Sequence, residues 1–231
     1  LKNREMQNVS SLHTTVILAV SADGKIAAAD RSPARFGSAT DKAHLEGQVA
    51  QADAVLFGAE TLRAYGTTLR VTSPQLLQQR QQQGRSPQPV QIVCSRSAKL
   101  DPDLRFFAQP VPRWLLTTPA AVQCWDSPHF DRVFTVGDSA GIDWETAWMQ
   151  LAQVGIQRLA VLGGSAIVAA LLECDLIDEL WLTVCPLLLG GTTAPTPVGG
   201  IGFLEAAAPR LTLLSVEAIA DEVFLHYRLP R

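Results

Sequence analysis

The sequence predicts an α/β fold: a mixed, mostly parallel sheet flanked by helices and closed by an antiparallel C-terminal hairpin. Three observations predict it. Short apolar β-rich runs alternate with helix-length segments, the pattern of parallel strands joined by helical crossovers. Residues 158–191 read as an apolar strand, a Gly163-Gly164-Ser165 turn, a short helix, a charged elbow and a second apolar strand. Near the end, β-rich runs at 211–220 and 223–229 are separated by Asp221-Glu222, which marks a hairpin. At 231 residues, 47% of them hydrophobic, the chain can bury a substantial core.

Taken in order, residues 1–13 are polar, lack a hydrophobic signal core and are expected to form a flexible tail. A strand at 14–20 ends in Ser21-Ala22-Asp23-Gly24, whose Asp-Gly marks a turn. After a loop, Ser38 or Thr40 can N-cap a helix over 41–51 with Asp41 in its first turn. A buried strand at 53–57 is closed by Gly58. Residues 72–88, rich in Gln, Arg and Pro, read as an exposed insertion or a polar helix. Strands follow at 90–94, 113–117 and 133–136, then a helix with Trp144 and Trp148 on one face, read as core. Strand 158–162, helix 165–174 and strand 179–184 form a β-α-β unit before the hairpin. With no repeat and no clear linker, one domain over 1–231 is expected.

Composition removes several classes of function. The formal net charge of -3 gives no electrostatic reason to expect nucleic acid or an anionic membrane. Cys94, Cys124, Cys174 and Cys185 are widely spaced and read as free thiols in a reducing, cytoplasmic setting, with no metal site expected. No apolar run reaches transmembrane length. Hydrolase, zinc-protease and P-loop motifs are absent, and the four histidines form none.

What remains points to a nucleotide. A strand running through Gly163 and Gly164 into a helix at Ser165, Ala166 and Ile167 aims backbone N–H groups and a positive helix end at one spot, a phosphate cradle. Gly58, Ala59, Glu60 and Thr61 form a second small-residue turn. Each is weak alone, since either can be a plain tight turn. Two at the carboxyl ends of parallel strands converge on the ligand crevice of an open α/β sheet. Arg96, in Ser95-Arg96-Ser97, can select NADP by binding a 2′-phosphate, or be an ordinary surface arginine. Asp23 can donate a proton or anchor a substrate, and Asp before Gly is also ordinary turn chemistry.

Four segments carry a family resemblance: VSADGKIA (20–27), DAVLFGAETL (53–62), LGGSAIVAALL (162–172) and IDELWLTVCPLLLGG (177–191). They resemble the reductase domain of the riboflavin-biosynthesis deaminase/reductase, within the dihydrofolate-reductase-like fold and without the zinc-binding deaminase. The resemblance implies NADPH, reduction of the ribose of a ribosylaminopyrimidine 5′-phosphate to ribityl, and a homodimer. It implies cofactor contacts at Val20, Thr61 and 164–170. Asp23 or Glu60 is expected to deliver or relay the proton, with Lys25, Ser38, Arg63 and Arg70 around the substrate. The chain departs from the family where Tyr65-Gly66-Thr67 replaces Asp-(Asp/Asn)-Pro, where Thr72 and Val49 replace arginines, and where Leu162 replaces a glutamate. Those departures leave two rivals: a reductase of a pterin or another N-glycoside, and a nucleotide-binding protein without catalysis.

Overall fold

The computed structural model describes residues 12–122 and 129–230. Its strands are β1 (His13–Ser21), β2 (Ala54–Gly58), β3 (Val90–Cys94), β4 (Arg113–Thr117), β5 (Arg132–Thr135), β6 (Arg158–Val161), β7 (Glu179–Cys185), β8 (Thr212–Ile219) and β9 (Glu222–Arg228). The helices are α1 (Ala39–Gln51), α2 (Ala59–Tyr65), α3 (Pro74–Gln82), α4 (Arg105–Ala108), α5 (Pro119–Val122), α6 (Trp144–Gln153) and α7 (Ser165–Glu173). The strands form one sheet in the order β5-β4-β3-β2-β6-β1-β7-β9-β8. Pairing is parallel from β5 to β7, and β9 then runs antiparallel to both β7 and β8. The predicted fold class holds.

Helices cover both faces of the parallel part, which is why the middles of its inner strands are continuously apolar instead of alternating with polar residues. On β1, Val16 and Leu18 pack into one layer with Leu56, Ile92 and the apolar faces of α6 and α7. Ile17 belongs to the opposite layer, with Val55, Phe57, Val93, Val49 of α1, Leu62 of α2 and Phe106 of α4. Trp148 is core as expected: it is 5% exposed, and its indole N–H donates to Thr14 Oγ1 at 3.0 Å. The β6-α7-β7 unit is present, but β1 lies between its two strands and pairs with both. The connection leaving β6 runs to β7 and the one leaving β1 runs back to β2, a switch point of the kind at whose carboxyl ends open α/β sheets bind ligands.

The structure corrects two expectations and decides a third between its alternatives. Leu12 and His13, placed in the tail, belong to the fold: Leu12 is buried and His13 opens β1. Residues 1–11 of that tail lie outside the described residues, as does Cys124. Of the two readings of 72–88, the polar helix holds, with one side chain turned fully inward. Ser73 caps α3, Pro74 starts it, and Arg80 is 2% exposed. The turn at 58–61 is the start of α2, because Ala59, Glu60 and Thr61 are already helical and only Gly58 is extended. Among the described residues, no helix is long and apolar enough to cross a membrane.

Candidate active site

The carboxyl ends of β2 and β6 bring two helix starts together. Gly163 joins Gly164 through a cis peptide, and its φ of +92° is one that side-chain-bearing residues rarely adopt. Gly58 N donates to Gly163 O at 3.2 Å, so the two turns touch. A Cβ on Gly58 would meet Ile167 Cδ1 at 3.3 Å, and one on Gly164 would face Thr61 Oγ1 at 3.7 Å. Side chains cap α1, α3 and α6, through Ser38, Ser73 and Asp143. No side chain caps α2 or α7. Their first-turn N–H groups therefore have no side-chain acceptor, and they face one another across small residues. This geometry suits the phosphates of a dinucleotide. Ser95 and Arg96 follow β3 beside Gly58, since Cys94 pairs with Gly58 in the ladder. Arg96 is exposed there.

Asp23 occupies a different setting from that of a proton donor. Its carboxylate accepts the Ser21 hydroxyl at 2.6 Å, Leu189 N at 3.0 Å and Gly190 N at 2.6 Å. These bonds, the Ser21 hydroxyl foremost, hold its pKa down to about 2. The carboxylate is thus ionised and occupied in tying the 21–25 turn to the loop after β7. Lys25 closes the same turn, donating its N–H to Ser21 Oγ at 2.9 Å.

Glu60 is exposed and pairs with Arg31 at 3.0 Å. A second tie, from Tyr65 Oη to Ala34 O at 2.7 Å, pins the 22–37 loop against α2. Tyr65, one of the departures from the family pattern, is therefore used as a latch. Arg63 donates one guanidinium N–H to Lys99 O at 2.9 Å. Arg70 is half-buried on the segment after α2.

Ser38 is also committed elsewhere. Its hydroxyl caps α1 by accepting Thr40 N and Asp41 N, and donates to Glu222 Oε2 at 2.6 Å, while Ser38 N donates to Glu222 Oε1 at 2.8 Å. Glu222 is 4% exposed and comes from the C-terminal hairpin. Beside it stands Asp41, close enough to the Thr183 hydroxyl on β7 for that hydroxyl to favour its charged form. Burial first, then the charge of Glu222, raises the proton affinity of Asp41. Cys185 completes the group, its thiol pushed up to about 12 chiefly by burial. The sequence places Asp41 at a helix start, Glu222 in a hairpin turn and Cys185 among free thiols, and nothing in it joins these to one another or to Thr183. Their signal is a strand pairing, not a motif.

Comparisons with known proteins converge on one family. The family model described as the RibD C-terminal domain matches residues 13–225. The 2,5-diamino-6-ribosylamino-4(3H)-pyrimidinone 5′-phosphate reductase of Archaeoglobus fulgidus is 27% identical, over 82% of this chain and 87% of its own length. The riboflavin biosynthesis protein RibD of Escherichia coli is 28% identical over 90% of this chain, which spans only 58% of that protein. A pyrimidine reductase-like protein from Corynebacterium diphtheriae superposes with a TM-score of 0.78 at 21% identity, over 99% of this chain and 96% of its own. Enterococcus faecalis dihydrofolate reductase does so at 0.54 and 11%, over 95% and 97%, which places the fold in the dihydrofolate-reductase-like group. The paired helix starts, the turn anchored by Asp23 and the sheet order thus sit in a chain that belongs to the RibD C-terminal domain family.

Proposed function

We propose that the protein is an NADPH-dependent reductase that converts the ribosyl group of a ribosylaminopyrimidine 5′-phosphate to ribityl in riboflavin biosynthesis. The observation that carries this reading is the pair of helix starts without side-chain caps at the β2/β6 ends, in a member of this family. Gly163, Gly164, Ser165, Ala166 and Ile167 would hold the pyrophosphate through their backbone. Gly58, Ala59 and Thr61 would line its opposite side, Val20 the nicotinamide, and Ser95 and Arg96 the adenosine end. When bound, the reduced nicotinamide supplies a hydride to C1′ of the sugar.

The chain has to orient the sugar and furnish a proton. Asp23, ionised and fully engaged, orders the turn that carries Lys25. Glu60, open to solvent, is the carboxyl left to relay the proton. Lys25, Arg70 and Arg63, the last with one N–H on Lys99 O, are the cations available for the substrate phosphate, and Ser38 leaves the substrate set because its hydroxyl and N–H are spent internally. The exposed apolar edge of the hairpin supports a homodimer.

The test is NADPH oxidation with ribosylaminopyrimidine 5′-phosphates and detection of the ribityl product. Turnover is expected, and absence of product with every member of the panel overturns the reading. Arg96→Ala should weaken NADPH by about 1.5–3 kcal/mol, the worth of a charged hydrogen bond, and leave NADH nearly unchanged. Equal loss for both cofactors would remove Arg96 from the 2′-phosphate.

A further inference from the structure

We propose that Asp41 reads the base of the substrate: its carboxylate accepts N–H donors from an aminopyrimidine edge and selects a 2-amino over a 2-oxo pyrimidine. This deepens the reductase reading and rests on it.

The position comes first. Asp41, in the first turn of α1, lies beside Thr183 near the carboxyl end of β7, and Thr183 pairs in the ladder with Ala19, next to Val20. Asp41 therefore stands on the α1 wall of the crevice, across β1 from the glycine turns. That wall is built with care. Glu222 crosses from the hairpin to hold both polar groups of Ser38, which fixes the helix start. Gly37 packs directly on Asp41, and a Cβ at that position would collide with Asp41 Oδ2.

The hydrogen-bonding capacity comes second. An ionised carboxylate offers about four acceptor sites. The Thr183 hydroxyl stands near enough to meet one. The charged and titratable neighbours that act on Asp41 are Glu222 and His44, and no Lys or Arg is among them. His44 is itself pushed toward its neutral form, chiefly by burial. A half-buried carboxyl facing another carboxylate without a cation is costly unless donors reach it.

An aminopyrimidine supplies such donors. Its ring N–H and 2-amino N–H lie side by side and match the two oxygens of a carboxylate in a bidentate pair. A 2-oxo base turns a carbonyl lone pair toward the same oxygens, leaving an acceptor facing an acceptor. Across the crevice, the wall position before the glycines is Leu162, half-buried and apolar, which offers no competing acceptor.

The experiment measures kcat/KM for the 5′-phosphates of 2,5-diamino-6-ribosylamino-4(3H)-pyrimidinone and of its 2-oxo (uracil) counterpart, alongside NADPH titration. The wild type should prefer the 2-amino substrate by roughly 5–150-fold, the span of one bidentate pair. Asp41→Asn should bring that ratio near one while NADPH affinity and melting temperature stay unchanged. Thr183→Val, nearly isosteric, should lower the ratio in the same direction and serves if Asp41→Asn folds poorly. If the wild type reduces neither substrate, the reductase reading fails and this inference with it. Equal use of both substrates by the wild type, a 2-oxo preference, or a 2-amino preference that survives both substitutions overturns the role of Asp41 and leaves the reductase standing.

Discussion

Asp23 shows how a residue can be found by sequence and still have its chemistry misjudged. Ser-Ala-Asp-Gly is legible as a turn, and Gly24 does take the left-handed φ of +79° that the Asp-Gly pair announces. The partners of the carboxylate are not legible, because Leu189 and Gly190 lie 166 and 167 residues away. A group whose folded pKa is depressed stabilises the folded state above its ordinary pKa and loses that contribution as pH falls through the folded value. For Asp23 the window runs from about 4, the ordinary value, down to about 2, the value in this turn. Acidification across that window should free the loop after β7. The Gly190 amide, followed by NMR, should titrate with a midpoint near 2 in the wild type and show no such step in Asp23→Asn. A midpoint near 4 would mean that the carboxylate does not hold the loop. By the same argument, turnover of Asp23→Asn should fall through poorer substrate affinity, with KM rising more than kcat drops.

Helix α3 is the element that composition describes least well. Its start was present in the sequence as Ser73-Pro74, a capping residue followed by a proline suited to the first helical turn. What composition hides is which of its many polar residues turns inward. Arg80 donates Nε to Ser86 O at 2.8 Å and Nη1 to Ala50 O and Ala52 O at 2.7 and 2.8 Å. Two of those carbonyls end α1, where a cation also complements the helix dipole. The polar segment thereby closes the end of α1 opposite to Ser38. Arg80→Ala strands three carbonyls and opens a void, so it should cost about 2–4 kcal/mol. Denaturant midpoints read this directly. A change within about 0.5 kcal/mol, typical of a surface substitution, would show that water replaces the guanidinium without loss. Helices α4 and α5, of four residues each, had no periodic signal to find, since one turn of helix is shorter than the pattern that reveals it.

Across the whole molecule, the sequence pattern shows the strands and the longer helices in chain order, but their order in space comes from pairing. Nothing local to β1 says that it inserts between β6 and β7, and that insertion creates the crevice. The same limit applies to Asp41, Thr183 and Glu222, which come from three elements and meet only through the β1-β7-β9 ladder. Beyond β7 helix α1 still covers one face of β9, where His44 packs on Phe224, and β8 forms the sheet edge. On β8, a bulge between Leu213 and Ser215 resets the alternation, so Leu213, Val216 and Ala218 share a face with Tyr227, Leu225 and Val223 of β9. Leu213 is 50% exposed and Val216 60%, and the preceding segment adds Ile201 and Leu204, both largely exposed. A β8 edge with unpaired backbone groups and an apolar face beside it is a template for association. A second copy of the chain meets the need with two-fold symmetry, each edge covering the other. Light scattering at micromolar concentration should therefore report a dimer, and the double substitution Leu213→Asp and Val216→Asp should give a folded monomer, because both positions face outward. A wild-type monomer refutes the dimer, while a dimer that survives the double substitution moves the interface away from β8. Since Glu222 opens β9 and holds Ser38, the monomeric variant should also bind substrate less tightly than the wild type, with NADPH affinity little changed.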